Sequence, residues 1–131
     1  PTKAFEYDAK MSKGMQMMYA TWWMEAEVNN GGFNQYFWND AGRLSQMALE
    51  GLKAFGAEKH AALLQRAIEI QKKEEPKQRE FKAKGTPEAF ADSYKETELG
   101  ALDNEYYKLS ENLSALRILY IRRHPEQFTE E

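Results

Sequence analysis

Between Met11 and Ala26 apolar side chains recur at spacings of four and three (Met11, Met15, Met18, Trp22, Ala26), the period of one helical face. Tyr19 and Trp23 widen that stripe and predict a first helix buried over much of its circumference. It should stop at "NNGG" (29–32), because Asn and Gly tolerate the left-handed conformation that ends helices. "FNQYFW" (33–38) then reads as a short turn of helix with Phe33, Tyr36 and Phe37 on one side, and "NDAG" is a second break. Leu44, Ala48, Leu52 and Phe55 mark the next helix, ending at Gly56. Leu63, Leu64, Ala67 and Ile68 mark another.

Beyond Ile70 the apolar pattern disappears until Phe81. Glu69 and Lys73, Glu75 and Arg79, and Glu80 and Lys84 stand four apart, each pair worth a few tenths of a kcal/mol on a helix. Pro76 should start a new helix or kink the old one. Residues 71–85 therefore read as a solvated, protruding, charged helical segment. "GTPEAF" restarts the fold, with Thr86 as N-cap and Pro87 at the first helical position. A short helix is predicted around "ALDNEYYKL" and a longer one near Asn112–Arg123, lined by Leu109, Leu113, Leu116 and Tyr120 and ended by His124-Pro125. No segment alternates with period two. The expectation is one all-α domain over residues 1–131, of about six or seven helices.

Length and charge narrow the classes. At 131 residues the chain is one domain with room for a core, and its net charge of −3 argues against direct nucleic-acid binding, which needs a basic surface. Without cysteine, disulfides, thiolate nucleophiles and zinc–sulfur sites are excluded. The opening segment has no apolar h-region and no run approaches a membrane span, so a cytoplasmic protein with neither signal peptide nor membrane contact is expected. Pro1 suggests removal of an initiator Met or trimming.

Catalytic patterns are missing. His60 and His124 belong to no metal-binding motif, so no metal and no cofactor is expected. "NNGGFN" lacks the lysine and spacing of a phosphate loop, and no nucleophile–base motif is legible. Glu25/Glu27 and Asp103/Glu105 are two apart, on different faces of a helix, and make no acid–base dyad within one element. The expectation is a protein that is not an enzyme. Residues 72–84 carry six basic residues against three acidic ones, either a solvated face or a docking arm for an acidic partner. Asn29, Asn30, Asn34 and Gln35 beside Tyr36 and Trp38 read in two ways. They form a helix corner whose amides cap and whose rings fill the core, or a surface whose amides and rings bind a peptide or protein edge.

"WWMEAEVNNGGFNQYFWN", then "ALEGLKAFGAEKHAALLQRA" and "LDNEYYKLSENLSALRILYIRRHPEQF", resemble a bacterial domain family named after DNA mimic protein 19. The resemblance covers most of residues 15–128 and implies an all-helical fold. It also implies that the chain stands in for DNA: the family's namesake resembles duplex DNA in charge layout and, as a dimer, occupies the DNA-binding surface of a transcription factor. The resemblance thus implies a protein–protein interaction module, with a DNA-binding regulator as partner and a homodimer as its assembly. Duplex DNA presents about one charge per 1.7 Å, so a 30 Å face needs on the order of ten carboxylates. Candidates for that face are Glu25, Glu27, Asp40, Asp103, Glu105 and Glu111, with Asp92, Glu96 and Glu98. The alternative is a small-molecule or peptide binder with a pocket near the corner, built from Asn29, Asn30, Phe33, Asn34, Gln35, Tyr36 and Tyr106.

Overall fold

A computed structural model describes residues 10–129, at 40 and 41 the backbone alone. Among the described residues every regular element is helical: α1 (Lys13–Trp38), α2 (Ser45–Phe55), α3 (Glu58–Lys84), α4 (Pro87–Ser93), α5 (Leu99–Tyr107) and α6 (Leu113–Arg123), with 3-10 turns at Asp40–Leu44, Tyr94–Glu96 and Pro125–Gln127. α1 is the central element. It packs along α2 and reaches α5 and α3, and the core gathers Met24, Val28, Phe33, Tyr36, Leu52, Leu64 and Leu99. Burying a side chain such as Leu64 contributes about 2 kcal/mol from removed apolar area.

α1 begins where the Ser12 hydroxyl accepts from Met15 N–H at 3.2 Å. The break at "NNGG" is present as non-helical backbone at Gly31 and Gly32 (φ 81°, ψ −178°), after which 33–38 runs on as its own short helix. The inward face differs from the expected stripe. Met17, Ala20, Thr21, Met24 and Val28 are buried, whereas Met15 and Trp22 are exposed. The reason is local: Gly51 of α2 sits so close to Thr21 and Met17 that a methyl group there would collide with them. The close approach of α2 therefore selects the Met17–Thr21 line rather than the more hydrophobic one beside it.

α2 ends as read, at Gly56 in the left-handed region, with Ala57 N–H donating back to Leu52 O at 2.8 Å. α3 runs through Pro76 without restarting. The carbonyl deprived of its donor belongs to Lys72, which is exposed, so water can take that place. Nor does 71–85 protrude. Glu74 accepts from Thr97 Oγ1 (2.5 Å) and Glu98 N–H (2.8 Å), Lys77 pairs with Glu96 (2.8 Å), and Lys82 Nζ donates to Trp38 O (2.6 Å). The segment is solvated on one side and clamped on the other.

Thr86 caps α4 with Pro87 at its first position. α6 is anchored by Leu113 and by Arg117, whose guanidinium reaches Thr21 Oγ1 (3.1 Å) and Glu25 (2.8 Å) on α1. Tyr120 packs on Phe55, and Leu109 lies just ahead of the helix rather than in it.

Candidate functional site

The backbone break at Gly31–Gly32 sets free groups that a continuous helix would pair internally. Three side chains from distant elements take them. Tyr107 OH donates to Val28 O (2.9 Å), Tyr94 OH donates to Gly31 O (2.8 Å), and Asp103 Oδ1 accepts from Phe33 N–H (2.8 Å). Asp103 thereby caps the helical segment 33–38, where a carboxylate also meets the positive end of the helix dipole. Only glycine fits at position 32, because its φ is positive and an added Cβ would lie within 3.0 Å of the whole Asp103 carboxylate.

Electrostatically the corner is negative. Burial pushes the Asp103 carboxyl above the usual carboxylate range, an effect that the Phe33 N–H partly offsets. The Tyr94 phenol is raised first by burial, then by the charges of Asp103 and Glu27; Tyr107 is raised by burial and by Asp103. Glu27 accepts from Gln35 Nε2 and Asn39 Nδ2, both at 2.9 Å. Neither Glu27 nor Asp103 has an ion-pair partner among the described residues. Around these two carboxylates stand exposed Asn29, Asn30, Tyr94 and, 54% exposed, Tyr107.

The remaining expected residues lie elsewhere. Glu25 is tied to Arg117, Glu105 to Arg66 through two hydrogen bonds (2.8 and 3.0 Å), Asp92 to Lys95, and Glu96 to Lys77. Glu111 holds the start of α3, accepting from the Lys59 and His60 N–H groups (3.0 and 2.9 Å) and facing His60 Nδ1 at 2.7 Å. Glu98 is exposed at the start of α5. The Asp40 side chain lies outside the described residues.

Of the residues expected to line a pocket, Asn34 borders one hollow and Gln35 another, whereas Asn30, Phe33 and Tyr106 border neither. Phe33 and Tyr106 pack edge to face inside the core (5.7 Å between centroids), Gln35 is spent on Glu27, and Asn30 faces solvent. Asn34 is buried and donates to Ser93 Oγ (2.8 Å); Tyr36 is fully buried with its hydroxyl unpartnered. Aromatic bulk closes the corner. Two hollows open one turn further on, where Phe37 and Trp38 face the charged half of α3: one of about 150 Å³, and an open one of about 650 Å³ bordered by Gly85, Pro87 and Phe90. Sequence reading missed Tyr94 and Tyr107 as parts of the corner. For Tyr107 the signal was a pair of adjacent tyrosines in an acidic stretch; Tyr94 gave none, and their partners lie 79 and 63 residues away.

No group of three or more metal-ligating side chains occurs among the described residues, and none of the helices there is long and apolar enough to cross a membrane. Residues 9–124 match the family model described as DMP19-like protein, and the chain belongs to that family. No curated protein and no solved structure matches it.

Proposed function

We propose that this DMP19-like chain is a non-enzymatic binding module that docks by its Gly31–Gly32 corner onto the basic surface of a DNA-binding regulator, in place of DNA. The observation that carries the reading is the pair Glu27 and Asp103, without ion-pair partners among the described residues and beside exposed Asn30, Tyr94 and Tyr107, while neighbouring acids are neutralised by Arg or Lys. Carboxylates accept from Arg and Lys much as phosphate oxygens do. Tyrosines next to them add apolar area and a hydrogen-bonding tip. Two carboxylates per chain are far fewer than a 30 Å stretch of duplex would present, which is on the order of ten. The mimicry is thus local, a short stretch of backbone rather than a long one, and a homodimer doubles it.

The experiment is capture from a lysate of the cell the protein comes from, with the chain immobilised away from the corner. A DNA-binding protein that elutes at moderate salt and is displaced by duplex DNA supports the reading. A partner that ignores both salt and duplex DNA, or no specific partner, overturns it.

A further inference from the structure

α3 turns His60, Leu64, Ala67 and Ile68 inward, and the same face continues in register as Gln71, Glu74, Glu75 and Gln78. Half-buried positions on the inward face are thus occupied by polar side chains, and they meet Phe37 and Trp38 across the cavity of about 150 Å³. Larger apolar residues at 71 and 78, such as Phe, would close that space. Leaving it open forfeits packing contacts, and the Gln78 Nε2 donor is buried with no hydrogen-bond partner. A face so built sacrifices stability, the mark of a position kept for another purpose.

The lining says what would fit. Its charges cancel, Glu74 and Glu75 against Arg79 and Lys82, and they are engaged within the protein: Glu74 with Thr97 and Glu98, Glu75 with Arg79, Lys82 with the Trp38 carbonyl. What remains unspent is neutral, the amides of Gln71 and Gln78 beside two aromatic rings. An apolar cavity of about this volume takes a benzene ring; here amides replace part of the apolar wall. Trp38 and Lys82 border both this cavity and the wider hollow, so the two lie side by side.

We propose that this cavity binds a small, flat, uncharged molecule carrying a carbonyl beside an N–H, a lactam or primary carboxamide of the size of a pyrimidine base. Its carbonyl accepts from Gln78 Nε2, and its ring lies against Phe37 and Trp38. The site is separate from the corner face and stands whether or not the corner docks a regulator.

The test is titration of the ¹⁵N-labelled full chain with uracil, followed by the side-chain amide resonances of Gln78 and the indole resonance of Trp38. Saturable shifts of both are expected, with a Kd on the order of 0.1–1 mM, ordinary for so few ligand atoms. Gln78→Leu, which is of similar size and takes away both polar atoms of the amide, and Gln78→Glu, which keeps the size but removes the donor, should each raise Kd at least about tenfold while core methyl resonances stay in place. The proposal is overturned by the absence of saturation up to roughly 10 mM, a range that would capture any useful fragment affinity. Equal binding by the two variants and the wild type, or equal binding of toluene, would overturn it too.

Discussion

Gly32→Ala tests the geometry on which the corner rests. At φ 81° and ψ −178° position 32 lies in a region that is essentially glycine's alone, and forcing alanine into it costs roughly 1–3 kcal/mol. The new Cβ would also displace the Asp103 carboxylate. Losing its charge-assisted bond to Phe33 N–H costs about 1.5–3 kcal/mol more. The sum, roughly 2.5–6 kcal/mol, corresponds to a fall in Tm of about 10–25 °C for a chain of this size. Gly56→Ala is the control. It also has positive φ, but nothing lies within 4 Å of its added Cβ, so only the backbone term of about 1 kcal/mol applies. Urea denaturation of Gly32→Ala, Asp103→Ala and the double variant separates the terms. Once Asp103 is truncated the collision is relieved, so the double variant should be more stable than additivity predicts by about 1.5 kcal/mol. A Gly32→Ala cost no larger than that of Gly56→Ala would refute the reasoning, as would simple additivity of the two corner substitutions.

Glu111→Ala uncovers two N–H groups at the start of α3 and should cost about 2 kcal/mol at neutral pH by denaturant melting. Burial acts to raise the Glu111 carboxyl, but bonds from Lys59 and His60 outweigh it and hold the group below the usual glutamate range. Its contribution is therefore complete above the unfolded glutamate value and is lost as pH falls through the depressed folded one, so wild type and variant should converge in acid. Asp103 is shifted the opposite way, and Asp103→Asn keeps an acceptor for Phe33 N–H while removing a charge that burial disfavours. It should change neutral-pH stability by less than about 0.5 kcal/mol, unlike Asp103→Ala, yet weaken partner capture. Leu64→Ala, in the fully buried centre of the core, should cost roughly 3–5 kcal/mol in the same melts.

The range of each interaction decides how much of the structure was legible in the sequence. The breaks at "NNGG" and Gly56 and the cap at Thr86-Pro87 are local chemistry, and all three stand where the residues put them. The buried face of α1 was misjudged because two stripes on that helix are both apolar. A methionine and tryptophan stripe looked the stronger, while the true one runs through Thr21, whose hydroxyl is satisfied within the helix at Met17 O (2.8 Å). Polar residues along the second half of α3 concealed its docked side, since hydrophobic periodicity cannot register a helix held by Glu74, Lys77 and Lys82. At the site, the sequence drew attention to the corner but not to what closes it. Tyr94, Asp103 and Tyr107 meet the break from α5 and the turn before it, a juxtaposition that exists only after folding.

One measurement bears most directly on the claim that this corner is the docking face: capture by the wild-type chain, Asn30→Arg and Lys72→Glu side by side. Asn30 is exposed at the corner, and Lys72 is exposed on α3. Adding positive charge beside Glu27 and Asp103 should abolish salt-sensitive capture of a DNA-binding protein, while reversing the charge on α3 leaves it intact. Undiminished capture by Asn30→Arg, or loss only with Lys72→Glu, would contradict the account.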